Sequence, residues 1–215
     1  MIVLSGTIGA GKTSLTGVLA KHFGTEAFYE SVDDNPILPL FYENPQKYAF
    51  LLQNYFLNKR LDNIKDAQGS ALNVIDRSIY EDLLLFQLNA DLQRATQTEV
   101  QIYGDLLHNM MEQIDFTDEA IVKTPDLLLY IHVSFDTMLA RIQARGRDYE
   151  QVETDPSLYN YYQELNKRYT AWFEQYSASP KLAIDGDKYD FVNNPADLKA
   201  VIAQIDAKVS ELGLK

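Results

Sequence analysis

Cysteine is missing from this 215-residue chain, which excludes disulfides and thiolate metal sites. Basic residues are few: 19 Lys and Arg face 31 Asp and Glu, for a formal net charge of −12. An acidic surface is a poor general binder of nucleic acid, because phosphate contacts need cations. Any anionic ligand must therefore be held by a local basic cluster. No apolar run is long enough to cross a bilayer, so no membrane partner is expected. The first residues, "MIVLSG", lack the basic n-region of a signal peptide. There is no internal repeat and no low-complexity linker. These absences lead to the expectation of a soluble, cytoplasmic chain forming one domain over residues 1–215, with a small lid.

What is present is a core-forming composition, 46% apolar, arranged as β-rich runs alternating with longer amphipathic stretches. Strands are expected at 1–5, 27–30, 71–76, 126–133 and 181–185. Helices are expected at 12–23, 46–68, 79–90, 98–115, 135–145, 156–177 and 195–213. Gly24 should stop the first helix and Ser134 should cap the one that follows it. Continuous apolar strands alternating with helices predict an α/β fold, a parallel sheet covered on both faces.

"GTIGAGKT", residues 6–13, fits the phosphate-loop pattern and has a strand before it and a helix after it. Gly6, Gly9 and Gly11 free backbone N–H groups to surround phosphate oxygens. Thr7, Ile8, Ala10 and Ser14 complete the nucleotide-binding segment. Lys12 would reach the β- and γ-phosphates and the Thr13 hydroxyl would ligate Mg²⁺. The bland alternative is a glycine-rich turn that only joins strand to helix.

Four other stretches bear on the phosphate acceptor. Glu30 ends the second predicted strand, where ligands of parallel sheets sit. It is read either as a general base or as a solvated loop acid. Asp76 and Arg77 in "DRSIYED" would support the metal and the transferring phosphoryl; the alternative is an ordinary helix start, which Asp76 and Ser78 would suit and Arg77 would not. Gln53 and Arg60 share one helix face with Ala49, Phe50, Phe56 and Leu57. A nucleobase edge would satisfy that amide, as would a buried backbone group. In "RIQARGRDYE", Arg141, Arg145 and Arg147 crowd like charges in an acidic protein. They form a clamp over nucleotide phosphates, or else a solvated basic helix end.

These motifs, with "FYESVDDNPILPLFYENP", "FLLQNYFLNKR" and "IDGDKYDF", resemble the deoxyribonucleoside kinases over nearly the whole chain. The likeness is greatest to the bacterial deoxyadenosine and deoxyguanosine kinases of lactic-acid bacteria. The resemblance implies a P-loop kinase fold with a five-stranded parallel sheet and an arginine-rich lid at about residues 141–155. It implies ATP as donor, Mg²⁺, a deoxynucleoside as acceptor, and a homodimer joined through helices. Residue by residue, it makes Glu30 the base for the 5′-hydroxyl and Gln53 the amide that binds the nucleobase, with Arg60 and Asp82 beside it. Tyr42 and Glu150 become the pair on the 3′-hydroxyl, Phe86 an aromatic stacked on the base, and Leu38 a further substrate contact. Arg77 lies beside Glu30 and the 5′-oxygen; Arg141, Arg145 and Arg147 become the lid. Asp76 stands where relatives commonly carry glutamate, and its shorter reach leaves its metal role open.

A nucleoside monophosphate kinase, a pyrimidine deoxynucleoside kinase and a nucleotide-binding module without turnover are the alternatives. The first would need extra cations at the acceptor site. Adenine and guanine stay open: an amide with a carboxylate suits adenine, and Arg60 suits the two acceptors of guanine.

Overall fold

The computed structural model describes residues 1–30, 32, 34–112 and 124–215. Five parallel strands, β1 (Ile2–Ser5), β2 (Ala27–Phe28), β3 (Val74–Asp76), β4 (Leu127–His132) and β5 (Lys181–Asp185), form one sheet in the order β2-β3-β1-β4-β5. Strand β1 is central and pairs Leu4 with Asp76 on one side and with Leu129 on the other. All four of its residues, apolar Ile2, Val3 and Leu4 and then Ser5, are buried, as a parallel sheet covered on both faces requires. The chain order reverses at β1, so the loop after it opens at the topological switch point.

Eight α-helices accompany the sheet among the described residues: α1 (Lys12–Phe23), α2 (Leu38–Glu43), α3 (Pro45–Asp66), α4 (Asp82–Asp91), α5 (Gln97–Glu112), α6 (Phe135–Arg145), α7 (Ser157–Gln175) and α8 (Pro195–Glu211). Gly24 ends α1 in the left-handed region, and its N–H reaches back to the Ala20 and Lys21 carbonyls. Ser134 caps α6 by accepting from the Thr137 N–H. Asn44 caps α3 in the same way, with Pro45 at the first helical position. The core falls into two clusters, one on each face of the sheet. One gathers Leu15, Leu19, Tyr162, Leu165 and Val201; the other Leu52, Leu57, Ile64, Phe86 and Tyr103.

The sheet and seven of the helices lie where the sequence places them. Three expectations need correction. Strand β2 ends at Phe28, so Glu30 stands two residues beyond it in irregular chain. Strand β3 begins at Val74, because Asn73 is taken up in holding the Ala67 carbonyl and the Glu26 N–H. The helix expected from 79 opens as a 3₁₀ turn, Ile79–Glu81, before α4. Residues 113–115 of the helix expected over 98–115 lie outside the described residues. No described helix is long and apolar enough to cross a membrane.

Candidate functional site

A cleft of about 880 Å³ lies beyond the carboxyl ends of β1, β2 and β3. Its donor side is built by the loop between β1 and α1. Gly6 has φ +145°, and a Cβ there would stand 2.7 Å from the Ile131 carbonyl oxygen. Gly11 has φ +98°, with the Phe191 ring 2.9 Å from any added Cβ. Both positions therefore admit only glycine without displacing their neighbours. Lys12 Nζ donates to the Gly6 and Thr7 carbonyls, each at 2.9 Å. Burial, with Arg77 nearby, lowers its pKa to about 8.

Thr13 and Asp76 meet at the floor of the cleft. The Thr13 hydroxyl donates to Asp76 Oδ2 at 2.6 Å, while the buried Oδ1 has no partner among the described residues. Burial pushes the Asp76 carboxyl up, against the pull of Lys12 and Thr13. Two hard oxygen donors, one carrying a free lone-pair site, fit a magnesium ion that keeps most of its ligands as water and phosphate.

The three clustered arginines divide between two sets of partners. Arg141 reaches from α6 to donate to the Ala10 carbonyl at 3.1 Å and the Gly186 carbonyl at 2.7 Å. It ties the phosphate loop to the turn after β5. Arg145 and Arg147 both pair with Glu150, the latter at 3.6 Å. The like charges are thus separated by a carboxylate and two carbonyls, which removes much of their mutual repulsion.

The acceptor side rests on a buried ion network. Glu30 accepts from Arg60 on one oxygen and from Arg77 Nε on the other, the second at 3.0 Å. Arg60 continues to Asp82, which also accepts from the Tyr103 hydroxyl at 3.2 Å. Arg77 continues through Nη1 to Glu81 at 2.7 Å and to the Tyr169 hydroxyl at 2.8 Å. Glu81, fully buried, also accepts from the Ser5 hydroxyl at the end of β1. Arg77 holds φ +86°, an uncommon conformation for a residue with a side chain. Three bonds to fixed partners keep it there. Burial alone would raise the Glu30 pKa, but Arg77, Arg60 and Lys12 hold it at about 2.

Gln53, Phe56 and Arg60 line the cleft along one face of α3. Gln53 is 6% exposed, and its amide makes no hydrogen bond among the described residues. Tyr42, from α2, packs its ring 4.5 Å from that of Tyr149. Burial, and then the neighbouring Tyr161 and Glu150, hold its hydroxyl well above the ordinary tyrosine range.

The cleft brings nearly all the predicted residues together, including Ile8, Ser14 and Leu38. Gly6, Thr7 and Ala10 lie just behind its surface, and Asp82 stands one layer back, behind Arg60. Phe86 is also absent from the wall. It is fully buried between Phe50 and Tyr103, with ring centroids 6.0 and 5.2 Å away. The reason is helical phase: Leu85 and Asn89, four residues apart, take the cleft face of α4 and turn Phe86 inward. Glu81, Asn89, Tyr161 and Asp190 belong to the site or its support but escaped the sequence reading. For Glu81 a signal existed, a second acid beside Asp82 at a predicted helix start, where it reads as an ordinary dipole partner.

The family model for deoxynucleoside kinases matches residues 2–210. The chain is 60% identical over 213 residues to a deoxyguanosine kinase of Lactobacillus johnsonii, covering 99% of this chain and 94% of that one. It is 56% identical over 213 residues to a deoxyadenosine kinase of Lactobacillus acidophilus, covering 99% and 98%. Among solved structures, the deoxyadenosine kinase of M. mycoides with bound dATP superimposes with a TM-score of 0.76 at 26% identity, covering 95% of this chain and 98% of that one. A phosphate loop, a carboxylate gripped by two arginines beside it, and a match along almost the entire sequence agree: this chain belongs to the deoxynucleoside kinases.

Proposed function

We propose that this chain transfers the γ-phosphoryl of ATP to the 5′-hydroxyl of a purine deoxyribonucleoside, deoxyadenosine or deoxyguanosine. The observation that carries this reading is Glu30, fixed by Arg60 and Arg77 in the same cleft as Lys12 and the phosphate loop. A carboxylate held there is an acceptor for a hydroxyl hydrogen. The O5′–P bond forms as the bond from phosphorus to the bridging oxygen breaks, and ADP leaves with the electron pair. The hydroxyl proton passes to Glu30 and on to solvent. With a pKa near 2, Glu30 is ionised at every working pH. It is a weak base, so its main contribution is to orient the hydroxyl through a charge-assisted hydrogen bond. That suits a loose transition state, in which the proton leaves late.

Lys12 and Arg77 stabilise charge on the equatorial oxygens. The segment 141–155 acts as the lid of a single domain: Arg141 anchors it, and Arg145 and Arg147 supply charge to the phosphates. Magnesium would be held by Thr13 and Asp76, and when bound it neutralises charge between the β- and γ-phosphates. Tyr42 and Glu150 hold the 3′-hydroxyl, and Gln53 binds the nucleobase. The family resemblance supports a cytoplasmic homodimer as the working form.

A nucleoside monophosphate acceptor fits poorly. Arg60 and Arg77 are already matched by Glu30, Asp82 and Glu81, which leaves neither as a spare cation for a phosphate. The purine assignment draws on the names of the Lactobacillus relatives, which divide between guanine and adenine. Assaying ATP consumption with the four deoxynucleosides and with dAMP tests this reading. Turnover with deoxyadenosine or deoxyguanosine is expected. Turnover with dAMP alone, or ATP binding without turnover, would overturn it.

A further inference from the structure

Asn89 is 3% exposed, lines the cleft from α4, and has no role in the chemistry above. Its Nδ2 donates to the Leu85 carbonyl one turn back, at 3.0 Å. This bond fixes the amide: flipping it would set two oxygens against each other. The atom left over is therefore Oδ1, an acceptor, and it is buried with no partner among the described residues. Such a group is costly to leave unpaired and is satisfied when a ligand completes it.

The packing of α3 against α4 locates this acceptor. Arg60 meets Asp82, and Phe50 meets Phe86. Stepping backward along α3 thus accompanies stepping forward along α4, so the two helices run antiparallel. Gln53 and Asn89 consequently fall on the same side of the Arg60–Asp82 pair, away from the Glu30 end. Two buried amides of the cleft, both lacking a complete set of partners, share the end opposite the reacting hydroxyl. Apolar Phe56 and Leu85 stand between them and the ion network on the cleft surface. A flat, apolar ring with polar edges matches that frame.

We propose that Asn89 Oδ1 accepts a hydrogen bond from the exocyclic amino group of the purine, making Asn89 a specificity residue alongside Gln53. The inference rests on the purine deoxynucleoside reading and deepens it. An acceptor here favours nucleobases that carry an amino group and penalises those that present only a carbonyl or a bare C–H at that edge.

The test compares substrate pairs that differ by the amino group alone. These are deoxyadenosine with purine 2′-deoxyriboside, and deoxyguanosine with deoxyinosine. In the better-used pair, loss of the amino group should lower kcat/KM by about tenfold or more in the unaltered enzyme. In Asn89→Leu the two members should converge to within about twofold. The proposal is overturned if the unaltered enzyme treats the members alike, or if Asn89→Leu keeps the discrimination. It is also overturned if that variant loses discrimination between the 2′-deoxy and the 2′,3′-dideoxy sugar instead, since the 3′-hydroxyl is the rival donor. Should the melting curve show Asn89→Leu to be unfolded, Asn89→Asp is measured in its place. That substitution sets an oxygen against the Leu85 carbonyl, so Asn89→Ala is measured beside it: it removes the acceptor, discrimination should collapse, and its persistence would overturn the idea. An unaltered enzyme that phosphorylates no deoxynucleoside would sink the kinase reading itself, an outcome distinct from kinase activity without amino-group discrimination.

Discussion

The two sides of the cleft are held together by different physics. The donor side is mostly local: Gly6, Gly11 and Lys12 lie within seven residues, and the lysine bonds to carbonyls of its own loop. The acceptor side is assembled from distant chain. Glu30, Arg60 and Arg77 come from three separate segments, and Tyr169 joins them from α7. Backbone shape determines the first, and compensation between buried charges determines the second. A substitution on the acceptor side should therefore damage stability and catalysis together wherever it leaves a charge unmatched. A substitution that removes only a neutral hydrogen bond should spare the fold.

The largest effect is expected at Glu30. Glu30→Gln should lower kcat by about 10²–10⁴ while ATP affinity changes little, as read by steady-state kinetics with ATP titration. A fall of less than tenfold would separate Glu30 from the reaction. The same variant carries a stability signature. The folded pKa of about 2 lies below the ordinary 4.5, so the contribution of Glu30 is full above 4.5 and fades as pH falls toward 2. Thermal melts across that window should show a shallower acid loss in the variant.

Next comes Asp82, which never touches the cleft surface. Asp82→Leu leaves Arg60 short of a buried partner and should cost about 3–5 kcal/mol of stability, measurable by urea denaturation. An unchanged midpoint would mean that Glu30 alone suffices for Arg60. Gln53→Leu should do the opposite. It should reduce kcat/KM for the deoxynucleoside by about ten- to a hundredfold through the unpaired nucleobase, with the melting temperature held or raised. A lower melting temperature with normal nucleoside kinetics would assign the amide to the core.

The smallest effect belongs to the donor side. With its pKa lowered to about 8, Lys12 of the free enzyme loses its proton as pH rises through that value. At pH 8, kcat/KM for ATP should stand at about half its plateau and fall further above it. The limb should move upward in kcat, because bound phosphates favour the charged lysine. A flat profile to pH 9.5 would show that Lys12 stays charged.

The same contrast explains what the sequence revealed. The strands, the phosphate loop and Ser134 at the start of α6 were legible because their signals lie within a few residues. Glu30, Arg60 and Arg77 were legible as candidates, yet their mutual grip was not, since pairs 30 and 47 residues apart leave no periodic trace. Helix α2 was missed for a local reason. No element was expected over 35–43, where Pro36 and Pro39 interrupt the pattern, whereas Asn35 Oδ1 accepts from Ile37 and Leu38 just before a helix that carries Pro39 in its first turn. Phe86 was legible as a motif position, but its full burial beside Phe50 and Tyr103 was not, because motif position carries no helical phase. One residue along α4 turns a side chain about 100°, enough to move it from cleft to core. Arg141 was read as part of a clamp, but its bonds to Ala10 and Gly186 become visible only once three distant segments meet.

The grip of two guanidiniums on Glu30 also bears on conformational entropy. A free glutamate side chain gives up about 1.5–2 kcal/mol of rotamer freedom when it is fixed. Here that freedom is surrendered once, as the chain folds and Arg60 and Arg77 close on the carboxylate. Each arriving hydroxyl meets an acceptor already at rest, and no part of its binding energy is diverted to ordering it.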